Sequence, residues 1–433
     1  MSTTSWRNWD GRQNCAPATF ERPATIGELT AALERAERSG RRVRVAGSGH
    51  SFTGLVVTDG TLISLERMNR ILDVDSRSGL VRVQAGISLG SLNAELDHHG
   101  LALENLGDID VQSLAGATAT GTHGTGQRLR NLSSQLKAVE LMLADGSNVT
   151  LTEQSDPDGW RAARISLGAL GVVTAVTLQA VPAFRLRGVD GPMPLEETLD
   201  RLDELVGTHD HFEFYTFPHS PTALLRRNDR TDEPATPRSA LRAYLEDILL
   251  VNHALDGFCR LGRRVPALIP SINRLVTRVA GSSRRVDASH RIFVSPRLVR
   301  FTEMEYAIPR AHAAEAIRAV RRAIEVHRFA VSFPIEVRFV AGDDALLSPA
   351  HQRDTCYVAV HVFDGTAFEP YFRAVEEIMD AFDGRPHWGK RHFQTAATLA
   401  PRYPEWDRFQ TVRARLDPSR RFANPEIDRV LGT

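Results

Sequence analysis

The chain has 433 residues, 42% of them hydrophobic and 24% charged, the balance of an ordinary folded protein of two or three domains rather than of a disordered tail or a membrane bundle. Its 53 basic and 53 acidic residues cancel, which removes any global field that would favour nucleic acid. Three scattered cysteines, Cys15, Cys259 and Cys356, form no CxxC pair, so neither a disulfide framework nor a thiolate metal site is expected.

Residues 1–11, MSTTSWRNWDG, lack the apolar run of a signal peptide, and no stretch approaches the ~18 apolar residues of a spanning helix; a cytoplasmic location is expected. Thr25 and Glu28 form a capping-box pattern, and Ile26, Leu29, Leu33 and Ala36 recur at helical spacing, which predicts a helix over 25–39. A strand through Val43 and Val45 then runs into a first glycine-rich loop, GSGHSF at 47–52. Further strands are predicted at 62–65, 71–74 and 80–84, and a helix over 89–98 closed by Gly100. A second glycine-rich run, LAGATATGTHGTG, spans 114–126. After it, Val139, Leu141 and Leu143 share one face of a hairpin turned at Asp145-Gly146, and a β-branched strand ends at Pro182. A domain boundary is placed there. From 183 to about 395 the texture changes: an aromatic strand at 211–217, an Arg-rich helical stretch at 240–280, a helix over 313–326, and strands at 331–340 and 356–363. The segment from Asp417 to Thr433 reads as a short helix docking back on the body.

GSGHSF is not a Rossmann fingerprint, because His50 and Ser51 follow the GxG and no glycine falls where a helix would pack closely. Both glycine runs instead offer backbone N–H groups free of obstructing side chains, able to approach a pyrophosphate; tight turns without a ligand are the plain alternative. No HExxH or comparable spacing is present, so no metal is expected. Glu336 and Arg338 lie two apart on a strand and share a face, which suits either one site or a surface ion pair. Lys390, in HWGKRH, is one of only two lysines, with Lys137, among 53 cations, so a compact ammonium is of specific use there.

AGSGHSF (46–52), NLGDIDVQSLAGATATGTHGTG (105–126), FPIEVR (333–338) and PHWGKRH (386–392) together resemble the FAD-linked sugar-1,4-lactone oxidase family, which includes gulonolactone and arabinonolactone oxidases and lies close to alditol oxidase. The resemblance runs in order over nearly the whole chain. It implies the α+β fold of the vanillyl-alcohol oxidase superfamily: a discontinuous FAD-binding domain (1–182, with 396–433 returning to it) and an antiparallel-sheet cap for the substrate (183–395). It implies FAD held by Gly47, Ser48, Gly49, His50, Ser51 and Phe52, tethered covalently through His50. It places Gly107, Asp108, Ser113, Gly116, Ala117, Thr120, Gly121 and His123 along the flavin, and Gly171 and Val172 near the adenine end. Glu336, Arg338 and Lys390 become catalytic: carboxylate as base, guanidinium for developing negative charge, ammonium at the flavin edge, where Lys390 also contacts the cofactor. Arg338 is expected to hold Glu336 ionised. His387 and His392 flank Lys390 without an assigned role.

The implied reaction is hydride transfer from C2–H of an aldono-1,4-lactone to the flavin, with electrons passed on to O2 or another acceptor. Gly107 stands where the family's oxidases carry glycine, which favours O2, and Asp108 stands where alditol oxidase carries serine, which favours lactones. Oxidation of a polyol such as xylitol on the same scaffold is the alternative, and a flavin-binding protein without turnover a second. From Arg260 to Arg285 seven arginines occur without an acid; they read as a solvated face of the cap, and the resemblance adds peripheral contact with the inner face of the membrane as the other reading.

Overall fold

The computed structural model describes residues 5–236, 253–295 and 297–433. The first predicted helix spans Ile26–Arg38, with the Thr25 side chain accepting from the Glu28 N–H; Glu28 in turn accepts from the Ala24 N–H. The strand Val43–Ala46 is parallel to Thr61–Ser64, which also pairs with Thr19–Glu21. A five-stranded antiparallel sheet follows in the order Asn148–Thr152, Leu136–Met142, Val172–Gln179, Leu80–Gln84 and Ile71–Asp75. Val139 and Leu141 are buried in one core with Val176 and Leu178, as their alternation demands. The second glycine-rich run is a loop only in its latter half: Leu114–Ala119 is a short helix capped by the Ser113 side chain, because Ser113, an N-cap residue, precedes a small-residue run with nothing to oppose a helical turn.

Eight antiparallel strands form the larger sheet, in the order Ser283–Ala288, Arg185–Pro194, Thr222–Thr231, His211–Thr216, Ile335–Val340, Thr355–Phe363, Phe301–Pro309 and Arg385–Pro386. Its four central long strands read apolar on one face and polar on the other. Phe212, Phe214, Met304, Ile308, Ile335, Val337, Val358 and Val360 share a core with Ile317, Val320 and Ile324 of the helix Ala313–His327 and with Phe372, Val375 and Met379 of the helix Glu369–Asp380. A period of two therefore sends Tyr215, Glu303, Glu305, Glu336, Arg338 and His361 to the face opposite those helices.

The Arg-rich stretch is two helices, Leu255–Arg264 and Ile269–Val279, separated at Pro266; its part at 240–252 lies outside the described residues. The end of the chain packs against the start. Ile427, Val430 and Leu431 of the helix Pro425–Leu431 join the first core, the Val43 N–H donates to Arg421 O at 2.9 Å, and Asn424 Nδ2 donates to Gly54 O and Val57 O at 2.9 and 2.8 Å. Arg44 Nε and Nη2 donate to Leu55 O and Leu167 O at 2.6 and 2.7 Å, and Nη1 to Gly168 O at 3.0 Å and to Phe422 O. One guanidinium thus ties four segments.

Candidate active site

Two adjoining clefts, of about 1260 and 1080 Å³, share His50, Ser51, Gln112 and Thr120. The first runs between the two glycine-rich segments, along Gly47–Ser51, Ser113 and Gly116, and on past Gly168, Gly171 and Val173. Its walls approach too closely for side chains. A Cβ on Gly47 would stand 2.3 Å from Ser113 Oγ, and one on Gly86 1.9 Å from Leu65 O. The 47–52 loop is held from outside: Gly49 O accepts from the Trp9 N–H at 2.8 Å, Ser51 O from Asn8 Nδ2 at 2.9 Å, and the Phe52 N–H donates to Gly389 O at 2.7 Å. Among the described residues the N–H groups of Ser48, Gly49, His50 and Ser51 have no acceptor, which is the donor nest an anion requires.

The second cleft lies between this loop and the polar face of the eight-stranded sheet. Arg338 is its hub. Its Nη2 contacts Glu336 Oε1 at 2.5 Å, its Nε contacts Glu213 Oε2 at 2.7 Å, and its Nη2 lies 3.7 Å from Asp108 Oδ2. Arg297 Nε donates to the same Asp108 oxygen at 3.1 Å. Tyr215 Oη bridges Glu213 and Glu336 at 3.2 and 3.4 Å. Burial opposes the charge of Asp108, but Arg297 and Arg338 outweigh it and hold its carboxyl well below the usual range. Glu336 goes the other way: burial raises it, Arg338 opposes, and the carboxylates of Asp108 and Glu213 push it further up. This corrects the expectation that Arg338 keeps Glu336 ionised. One guanidinium shared among three carboxylates cannot neutralise all of them, so Glu336 is the one whose proton affinity rises above its ordinary value.

Lys390, on the turn after the strand Arg385–Pro386, pairs with Glu303 and has Phe52 5.3 Å below its Nζ. Burial lowers Lys390, yet Glu303 and Glu305 outweigh it and hold the ammonium charged. His123 Nε2 meets Glu305 Oε1 at 3.1 Å, its Nδ1 donates to Gly124 O at 2.9 Å, and its ring stacks 3.5 Å from Tyr357. His387 completes a buried trio with these two, ligand-type atoms within 4.8 Å of one another, but its Nδ1 already accepts from the Gly389 N–H. His50 stacks on Trp9 at 5.6 Å; burial and Lys390 push it down to about 4, so its imidazole is neutral.

The structure thus brings Glu336, Arg338 and Lys390 to one cleft, together with Phe52, Gly107, Asp108 and His123. Gly47, Ser48, Gly49, Ser113, Gly116 and Gly171 line the other. Three residues expected at the cofactor lie elsewhere. Ala117 is on the buried face of its helix. Val172 points into the core under the first helix while its neighbour Val173 lines the cleft. Gly121 sits beside Ile165 and Pro349. His392 is buried against Trp388, outside both clefts, whereas His387 lines the second. Sequence reasoning missed Trp9, Gln112, Glu213, Tyr215, Arg297, Glu303, Glu305 and His361. The alternation E-M-E-Y at 303–306 was a usable signal, since charges at i and i+2 between apolar residues mark a polar strand face.

These walls fit FAD. The N–H nest and the glycines of the first cleft suit a pyrophosphate, and the second is flanked by rings and a fixed ammonium. Among the described residues, Gln112 Oε1, at the junction, and Thr122 Oγ1, in the second cleft, are buried without a hydrogen-bond partner, as atoms meant for a bound group would be.

Comparison with known proteins agrees. Residues 17–152 match the family described as FAD binding domain, and residues 176–430 the family described as D-arabinono-1,4-lactone oxidase. The chain is 50% identical over 427 residues to L-gulono-1,4-lactone dehydrogenase of Mycobacterium tuberculosis, covering 99% of each. It is 36% identical over 432 residues to L-gulonolactone oxidase of Mus musculus, covering 98% of each. A solved structure described as solvent-stable cholesterol oxidase superposes with a TM-score of 0.86 at 17% identity, over 100% of this chain and 98% of that one, and shares the fold. The chain belongs to the D-arabinono-1,4-lactone oxidase family and is an FAD-dependent oxidoreductase.

Proposed function

We propose that this protein oxidises an aldono-1,4-lactone of the L-gulono or D-arabinono type at C2, giving a 2-keto lactone. The observation that carries this reading is the convergence of Glu336, Arg338 and Lys390 on the cleft that adjoins the N–H nest. Bound FAD supplies the hydride acceptor. Glu336, as a carboxylate whose proton affinity is raised by burial and by Asp108 and Glu213, takes the C2 hydroxyl proton, and Arg338 stabilises the negative charge that develops on that oxygen. Asp108 and Arg297 orient the polar substituents of the lactone. Lys390 holds positive charge at the far wall. Neutral His50, packed on Trp9, is the nucleophile for a covalent tether. We place the cofactor-binding body at 1–182 and 396–433 and the cap at 183–395.

Anaerobic addition of L-gulono-1,4-lactone or D-arabinono-1,4-lactone to the holoenzyme should bleach the flavin absorbance, with the rate falling about 10²–10³-fold in Glu336→Gln at unchanged flavin content. Bleaching by xylitol or sorbitol but by neither lactone would replace this reading with polyol oxidation; bleaching by none would leave a binding protein. Readmitting air tests the acceptor. Gly107 lines the cleft and carries no side chain there, where a Cβ would stand 3.3 Å from His123 O; rapid return of the colour is expected, and a persistently bleached flavin points to another acceptor. Yellow colour retained in the acid precipitate of the wild type and lost in His50→Ala identifies the tether.

Among the described residues no helix is long and apolar enough to cross a membrane. The helices Leu255–Arg264 and Ile269–Val279 do expose Leu261, Leu275 and Val279 beside their arginines, which supports peripheral contact with an anionic bilayer. Co-sedimentation with anionic but not neutral liposomes, abolished by salt, checks it.

A further inference from the structure

Glu303 and His361 stand directly opposite each other on the antiparallel strands Phe301–Pro309 and Thr355–Phe363, and both line the second cleft. The two nitrogens of His361 have fixed tasks. Nδ1 lies 3.2 Å from Pro334 O, and a carbonyl oxygen only accepts, so Nδ1 carries a hydrogen and the charge of the ring is decided at Nε2. Nε2 faces Glu303 Oε1 at 3.5 Å, while the other Glu303 oxygen is bonded to the Lys390 ammonium. A single buried carboxylate therefore lies between an ammonium that reaches the cleft and a histidine nitrogen whose proton is free to come and go.

With Nε2 bare, its lone pair points at a carboxylate oxygen and the three groups sum to zero charge. With Nε2 protonated, it donates to Glu303 and the three sum to one positive charge. The charged groups facing His361 are Glu303 from one neighbouring strand, Glu336 from the other, and Lys390 from the turn beyond; Phe301 and Phe333 pack against the ring at 5.0 and 6.1 Å. Burial works against the imidazolium and Lys390 repels it, but the two carboxylates outweigh both, and His361 binds its proton more tightly than a free histidine.

We propose that Glu303 and His361 are positioning residues that set the charge Lys390 presents to the cleft, His361 taking up a proton from water at Nε2 as negative charge accumulates beside Lys390. An N–H bond forms at Nε2 as an O–H bond of solvent hydronium breaks and leaves water, and the electrons come from the substrate oxidation proposed above, on which this inference rests. A buried Lys–Glu pair would satisfy both partners without a third member. The histidine adds a site whose occupancy follows the electron count.

The test uses histidine-labelled holoenzyme, with the ring resonances of His361 assigned by their loss in His361→Asn, whose amide keeps a donor for Pro334 O. In Glu303→Gln the titration midpoint of His361 should fall by at least about one pH unit, a tenfold loss of proton affinity. The flavin midpoint potential should be higher in the wild type than in His361→Asn at low pH, by about 30 mV for a tenfold shift in a two-electron equilibrium. That gap should close above the histidine titration. A His361 titration unmoved by Glu303→Gln overturns the proposal, as does a potential gap independent of pH. If His361→Asn does not fold, His361→Gln supplies the assignment and the Glu303→Gln titration decides. Loss of lactone bleaching with the titration shift intact refutes the assigned reaction and leaves the dyad standing; bleaching intact with no shift refutes the dyad alone.

Discussion

Replacing Gly47 by alanine tests how tightly the cofactor cleft is built. The new Cβ would lie 2.3 Å from Ser113 Oγ, so the serine hydroxyl must move. That hydroxyl accepts from the Gly116 N–H at 3.3 Å and caps the helix Leu114–Ala119. Losing an N-cap costs about 1 kcal/mol, and forcing a methyl into a packed wall adds about 1–3 kcal/mol. The central expectation is about 3 kcal/mol, or roughly 3 °C in melting temperature at about 2.1 cal/mol/K of unfolding entropy per residue. Flavin content should fall with it, since both segments line the cleft. Ser113→Gly removes the colliding atom and leaves glycine at the cap, where it costs only about a few tenths of a kcal/mol relative to serine. The double variant should therefore recover most of the loss, giving a coupling of at least about 1 kcal/mol. Thermal melts and flavin absorbance of the four proteins measure it. Additive effects, within about 0.5 kcal/mol, would show that the two walls do not touch and would refute the reasoning.

Arg44→Met should cost at least about 3 kcal/mol, because it strands four carbonyls in three segments that one guanidinium now satisfies; Arg44→Lys should rescue little in the same melt, since one ammonium lacks that span, and full rescue would refute the bridging role. Burial pushes Asp343 up to about 6 against the hydrogen bond from Ser348, so the native state keeps a proton that the unfolded chain releases near 4. Stability then falls as pH rises from about 4 to about 6 and levels off above, and Asp343→Asn should flatten that slope in denaturant titrations. His50 has the opposite sign: neutral down to about 4 when folded, it loses stability to the unfolded state as pH falls from about 6.5 to 4. His50→Ala should remove that loss from the same titrations.

The apolar periodicity of Ile26–Arg38 and the alternation of the hairpin at 136–152 carry their own structure, so those elements were legible before any coordinates. The strand Arg185–Pro194 was not, since Gly188, Gly191 and Pro192 contradict the local signature of a strand; Phe301–Pro309 shows its alternation, but the burial of Glu303 and Glu305 could not be read from it. Only a partner face that supplies counter-charges makes such strands stable. The same limit shaped the site. Glu336 and Arg338 could be paired by their spacing, but the competition for that arginine comes from Glu213, set by register between strands more than a hundred residues apart, and from Asp108 on a distant loop, and it raises the proton affinity of Glu336.

The interlock of the chain ends has a consequence for biosynthesis. Arg44 lines the dinucleotide cleft and is anchored to Phe422 O, and Asn424 bonds the carbonyls at 54 and 57. A nascent chain still on the ribosome lacks this closure until residues 422–424 emerge. Flavin loading is thereby expected to wait for that segment, and a chain truncated ahead of Phe422 should purify as an apoprotein.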